Sequence, residues 1–177
     1  MSTILWQLDP AHSEVQFKVK HMMMSRVTGE FKQFKLNVES IGHDFLTSKI
    51  HFEALINSID TRVEQRDNHL KSADFFDAAN YPILTFDSSE IVKINQEDYE
   101  LKGNLTIRDF THTISLKVIS NGIIEDPYGN YRAGFEVSGS INRLEYGLQY
   151  NPIMEKGGLV VGHDVAISAN IEIFYKK

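Results

Sequence analysis

Apolar and polar residues alternate with a period of two along most of this chain, the pattern of strands that bury one face. Val15, Phe17 and Val19 share a parity with His21, while Glu14, Gln16, Lys18 and Lys20 take the other. The alternation recurs at Ile50, Phe52, Ala54 and Ile56, at Tyr99, Leu101, Gly103, Leu105 and Ile107, and at Tyr131, Ala133, Phe135 and Val137. The longest run, Val165, Ile167, Ala169, Ile171, Ile173 and Tyr175, predicts a tall final strand. Shorter runs at 4–8, 36–38, 84–86 and 114–118 bring the total to about eight or nine strands, a number that suits a closed barrel. Breaker clusters at 95–98 and 126–130 have the chemistry of turns between antiparallel neighbours. The expected fold is therefore all-β, an antiparallel barrel of about eight strands formed by residues 1–177 as one domain.

One segment departs from the alternation. Residues 61–73 carry Thr61 and Glu64 in capping-box spacing, where each side chain satisfies a free backbone donor, and this predicts a short helix. The helix leads into Asp74-Phe75-Phe76-Asp77 and ends before Tyr81-Pro82, because the residue before proline is pushed out of the helical region. Two placements remain open. The helix either covers an opening of the barrel with Phe75 and Phe76 on its underside, or packs as a surface connection on the wall.

Charge and composition narrow the partners. Acidic residues outnumber basic ones, 24 to 18, and the net charge of −6 predicts no electrostatic footprint for nucleic acid or for anionic membrane surfaces, so neither is an expected partner. The absence of cysteine removes disulfides, thiolate metal sites and a thiol nucleophile together. The opening residues lack the charged start and long apolar run of a secretory signal, and no stretch reads as a membrane span, so the expected location is cytoplasmic.

Candidate chemistry is sparse. Serine-elbow, phosphate-loop and dinucleotide motifs are all missing, so no catalytic residue and no cofactor is assigned. The seven histidines, at 12, 21, 43, 51, 69, 112 and 163, lack the pairing of a metal site, and no metal ligand is assigned either. Arg66, Asp67 and His69 fall within one helical turn, but Asp67 and His69 are two apart and do not face one another on a helix. His21 and Arg143 share the parity of apolar neighbours, and buried polar groups of this kind need partners. Either they meet the polar end of a largely apolar ligand, or they sit at the barrel's ends, in water or beside a carboxylate such as Asp9 or Glu145. The run Met22-Met23-Met24 is adaptable apolar surface, suited to a lipid entrance or to edge packing.

Ordered motifs then resemble a known family. Trp6-x-Leu8-Asp9-x-x-His12-Ser13-x-Val15-x-Phe17-x-Val19-Lys20-His21, followed by Gly29-x-Phe31, looks like the start of the YceI-like family of polyisoprenoid- or lipid-binding proteins. The match continues through Ser58-Ile59-x-Thr61, Arg66-Asp67-x-His69-Leu70-x-Ser72-x-Asp74-Phe75-Phe76, and Tyr81-Pro82 with Phe86. Gly103-x-Leu105-Thr106-Ile107-Arg108, Arg143-x-x-Tyr146-Gly147 and Val161-Gly162-x-Asp164-Val165 complete it. The family commonly has glycine after Leu-Thr-Ile-Arg, where this chain has Asp109. The resemblance implies an elongated, lipocalin-like antiparallel barrel with one helix, a long apolar tunnel, and ligands of the polyprenyl, isoprenoid quinone or fatty-amide type. It also implies that a homodimer is open to the chain, and it implies no established catalysis.

The expected function is to bind such a long-chain lipid as a carrier or sequestering protein. Expected contacts are Phe17, Val19, Phe31, Phe52, Ile56, Phe75, Phe86, Leu105 and Phe135 along the tunnel, with His21 and Arg143 at the head group. Two other readings compete: a small hydrolase or isomerase using a histidine and a carboxylate at the barrel mouth, and an interaction module whose interior is filled by side chains.

Overall fold

A computed structural model describes residues 1–152 and 160–177. Among the described residues the chain forms β1 (Thr3–Leu8), β2 (Glu14–His21), β3 (Ser25–Phe31), β4 (Phe34–Ile41), β5 (Asp44–Leu55), β6 (Ile59–Asp60), a helix α1 (Glu64–Lys71), β7 (Ile83–Lys93), β8 (Asp98–Ile107), β9 (Phe110–Glu125), β10 (Asn130–Asn142) and β11 (Val161–Lys176). All pairings between them are antiparallel.

Eight of the strands, in the order β1-β4-β5-β7-β8-β9-β10-β11, close on themselves through β1 and β11. The other three, β2, β3 and β6, extend this ring past bends in the chain. β11 shows why. Its later part pairs with β1 (Leu8 opposite Ile173) and its earlier part with β2 (Val15 opposite Ala169, Val19 opposite Val165). Between the two, Pro10 has no N–H to give a ladder and opens a 3-10 turn at Pro10–His12, capped where Asp9 accepts from the Ala11 N–H. In the same way β3 leads into β4, and β5 continues into β6 across the turn Ile56–Ser58. The eight or nine strands expected from alternation are thus an eight-stranded up-and-down barrel with three bent strands. Closing the sheet removes the edges that would otherwise recruit another chain.

The helix occupies the seam that the bends leave. β6 is two residues long and pairs only with β3, so α1 and residues 72–82 bridge from it to β7. The capping box expected from Thr61 and Glu64 does not form. Val63 is the N-cap and makes no side-chain bond, while the Thr61 N–H and hydroxyl both donate to Asp67 Oδ1, at 2.8 and 2.5 Å. Arg66 donates to the Thr61 hydroxyl and carbonyl, at 2.7 and 2.6 Å. Arg62, at φ 68°, turns the chain between Thr61 and the helix, which starts two residues later than the spacing suggests and ends at Lys71. Thr61 is therefore buried as an anchor for the helix rather than its cap.

Candidate functional site: an apolar tunnel

Inside the barrel lies a cavity of about 280 Å³ whose wall exposes no polar atom. Its lining follows β11 from Val161 to Ile173. At ~3.3 Å per residue and a strand tilt of roughly 40°, that stretch covers about 30 Å of barrel axis. So small a volume over such a length is a slender bore, the width of a chain rather than of a broad ring system. Many inward side chains, among them Phe17, Val137, Ile167 and Ile171, are only half-buried although they point away from bulk water, because they border this space.

Two inward glycines keep the bore open. A Cβ on Gly29 would overlap the Phe17 ring, and one on Gly103 would overlap the Phe86 ring, so each ring lies flat over a glycine of the neighbouring strand. With a larger residue at 29 the Phe17 ring would have to swing toward the cavity, and at 103 the Asp87 carbonyl, equally close, would have to move as well as the Phe86 ring.

Nine of the expected contacts line the cavity: Phe17, Val19, Phe31, Phe52, Phe75, Phe86, Leu105, Phe135 and Arg143. Ile56 does not. It is 1% exposed and packed in the core, where β5 turns into β6 and its parity no longer points at the bore. His21 also lies off the wall, exposed at the end of β2, where the register with β11 shifts between Val161 and Val165. Among lining residues the sequence reading did not name, Phe45 escaped because a register shift between Glu39 and Ile41 in the β4–β5 pairing changes which parity faces inward, while Ser48 keeps the parity of Ile50 and Phe52 and escaped because it is polar. Leu70 and Phe76 join Phe75 in the wall, so of the two placements left open the helical segment takes the covering one.

Arg143 is 3% exposed and its guanidinium is fully engaged with main chain. It donates to the carbonyls of Gly162 at 2.7 Å, Tyr150 and Val161 at 3.1 Å, and Leu148. Burial pushes its pKa below the ordinary arginine value. No carboxylate pairs with it among the described residues. It ties the turn after β10 to the start of β11. Nearby, Tyr146 is fully buried, and burial with the neighbouring Glu145 charge pushes its hydroxyl up to about 12.

The two ends differ in construction. At the β1 end, Trp6 packs edge-on to Tyr175 and beside Phe45, with centroids 4.7 and 5.2 Å apart, and Phe45 meets Phe135 at 5.0 Å. The Trp6 indole N–H donates to Ser40 Oγ at 2.8 Å, and His43 Nε2 lies 2.6 Å from the Tyr175 hydroxyl. On the outside of this end Arg132 binds Asp126, Asp9 and Glu172 at 2.8–2.9 Å. Asp9, His12 and Glu172 have ligand atoms within 4.8 Å of one another, but the guanidinium already supplies the cation there. Asp126 is held down to about 2, first by its bond from Arg132. At the α1 end the wall is assembled from separate pieces: the β2–β3 hairpin, α1, residues 72–82, and the turn after β10.

The residues considered for acid–base chemistry are placed elsewhere. Arg66 and Asp67 are committed to Thr61, and His69 pairs with Asp74 at 2.9 Å near the Phe75 and Tyr150 rings. No histidine, aspartate or glutamate lines the cavity among the described residues. At the β8–β9 turn it is Arg108, at φ 56°, that takes the left-handed conformation; Asp109 does not need the glycine common at that position.

A closed up-and-down β-barrel around an apolar, chain-shaped cavity defines a lipocalin-like barrel. The chain belongs to the YceI-like family, whose domain model matches residues 6–173. A UPF0312 protein of Staphylococcus epidermidis is 39% identical over 168 residues, covering 94% of this chain and 95% of its own. One of Staphylococcus aureus is 38% identical over 165 residues, covering 93% and 94%. Among solved structures, the Campylobacter jejuni YceI protein matches with TM-score 0.75 and 28% identity over 97% of this chain and 98% of that one. Burkholderia cenocepacia BcnA matches with TM-score 0.79 at 23% identity, over 94% and 99%, a likeness of fold. A Saccharophagus degradans domain described as polyisoprenoid-binding shares the fold with TM-score 0.66 at 13% identity, over 95% and 97%.

Proposed function

We propose that this protein binds one long-chain isoprenoid or acyl lipid along its bore, as a carrier or sequestering protein without a chemical step of its own. The observation that carries this reading is the wall: a slender cavity reaching from Val161 to Ile173 with no polar atom exposed in it. Such a surface recognises hydrocarbon and offers a polyprenyl, quinone or fatty-amide head group nothing inside. The head group therefore stays at the α1 end, and the chain runs inward past Phe17, Phe86 and Leu105 toward Phe135. Burial of a methylene is worth ~0.8 kcal/mol, so ten or more carbons outweigh the cost of ordering the chain without a polar anchor. The polyisoprenoid-binding description of the Saccharophagus degradans domain is consistent with this ligand class. The absence of histidine, aspartate and glutamate from the lining, among the described residues, supports binding without catalysis.

The test is native mass spectrometry of the purified protein, followed by solvent extraction and identification of what is released. A long-chain lipid at one per protein is the expected result. A protein that is empty, and stays empty when offered polyprenyl phosphates, quinones and fatty amides, overturns the reading.

A further inference from the structure

The β2–β3 hairpin ends in Met22, Met23 and Met24, which are 43%, 57% and 90% exposed. Met22 and Met23 have φ of 53° and 58°, and the Met24 N–H donates to the His21 carbonyl at 3.1 Å. A two-residue turn with both central residues left-handed is the ordinary place of Asn-Gly, because a side chain with a Cβ is strained there. This chain places two large, flexible apolar side chains in that strained turn and a third directly after it. Among the described residues nothing in their packing accounts for the choice.

The flanks carry a second observation. Lys18, Lys20, His21 and Arg26 are exposed on this hairpin, and Lys20 pairs directly with Arg26 across the two strands. Like charges opposite one another are unfavourable without an anion to share. From Lys18 to Thr28 the chain has no acidic residue, although the whole protein carries −6. Among the described residues the carboxylates adjoining by register are Asp164 on β11 and Glu30, diagonal to Lys18 on β3, and no ion pair joins either to these cations. The hairpin also stands at the rim of the bore. Val161, which lines the cavity, pairs with His21, and Val19 lines it two residues below the turn.

We infer that the Met22–Met24 tip docks the protein, rim first, on an anionic lipid bilayer, the methionines entering the acyl boundary while Lys18, Lys20 and Arg26 meet the head groups. An exposed apolar tip ringed by basic residues has the chemistry of an interfacial anchor. Docking here sets the bore against the membrane that holds long-chain lipid, so this inference rests on the lipid-binding reading of the cavity.

Co-sedimentation of the full chain with vesicles of equal parts phosphatidylcholine and phosphatidylglycerol tests it, against vesicles of phosphatidylcholine alone. Wild type is expected to sediment with the anionic vesicles, to release in high salt, and to ignore the neutral ones. Met22→Asn with Met23→Gly and Met24→Ser, which relaxes the turn and so preserves the fold, is expected to bind the anionic vesicles about tenfold more weakly. Lys20→Gln with Arg26→Gln is expected to weaken binding by a similar factor and to lose the salt dependence. Unchanged sedimentation of the tip variant, equal sedimentation with neutral vesicles, or none with either overturns the inference. A dansyl-labelled fatty acid titrated without vesicles reads the cavity separately. Docking without probe binding sinks the cavity reading alone, and probe binding without docking sinks the tip alone.

Discussion

The two ends of this barrel are closed by different means. At the β1 end the sheet itself closes, through the pairing of β1 with β4 and β11, and Trp6, Phe45, Tyr131, Phe135 and Tyr175 fill what remains. At the α1 end the same sheet bends outward into β2, β3 and β6 and leaves a seam that a helix of eight residues covers. A closed ladder opens only by breaking many backbone hydrogen bonds at once. Separate covering pieces open one at a time, which is where local opening is cheapest. The contrast gives the bore a direction, with a sealed floor at Trp6 and a rim at Val161, Leu70 and Phe75.

Substitutions at the two ends should therefore fail differently. Trp6→Ala removes the floor's largest side chain and the indole donor to Ser40, whose hydroxyl keeps its bond to the Gly42 carbonyl, and it is expected to cost about 3–5 kcal/mol in denaturant unfolding. A loss below about 1 kcal/mol would show that the floor is loosely packed. Arg143→Leu, at the rim, takes a donor from four carbonyls, of which only that of Val161 keeps another, the Asn151 amide, among the described residues. It is expected to cost about 2–4 kcal/mol and to raise hydrogen exchange near Val161 more than near Trp6. A uniform rise would mean that the rim is not a separate unit.

Milder changes address the bore between the ends. Gly29→Ala pushes the Phe17 ring toward the cavity and is expected to weaken chain binding about tenfold while costing about 1–3 kcal/mol in stability. Equal affinity for a straight acyl chain would show that the ring has somewhere else to go. Phe135→Ala deepens the bore at its floor. Affinity for a chain that ends short of it is expected to fall a few-fold, and the preferred chain to lengthen, as calorimetry on a length series would read. An unaltered series removes Phe135 from the site.

The smallest effect concerns acid. Asp126 has a folded-state pKa below its unfolded value, so the stability it contributes is fully present above pH 3.8 and is lost as pH falls through about 2. Thermal midpoints measured down that range are expected to fall less steeply in Asp126→Asn than in wild type. Parallel curves would mean that other carboxylates govern acid unfolding.

Much of this architecture is legible in alternation alone, and particular residues show where the reading stops. Val165 to Ile173 predicted the inward face of β11 position by position, because a strand buried on one side and wet on the other leaves a clean period of two. Phe45 escaped it and Ile56 misled it, since bulges and bends reset parity and only hydrogen-bond register reveals them, while Ser48 escaped as a polar residue on the inward parity. Thr61 misled for a related reason: capping-box spacing is local, and Asp67 one turn further on competes for the same hydroxyl. Arg143 could be read as inward, but its partners are carbonyls, and main-chain acceptors carry no signature in sequence. The Met22–Met23 turn was invisible because its residue types argue against the conformation they adopt.

The central claim is that hydrocarbon length, rather than head-group chemistry, sets affinity. Calorimetric titration of the purified protein, stripped of lipid, with straight-chain fatty amides from decanoyl to octadecanoyl measures this directly. Affinity is expected to rise with each added methylene, by up to about fourfold, until the chain reaches Phe135 and the gain stops. Affinity that ignores chain length and follows the head group instead would contradict it.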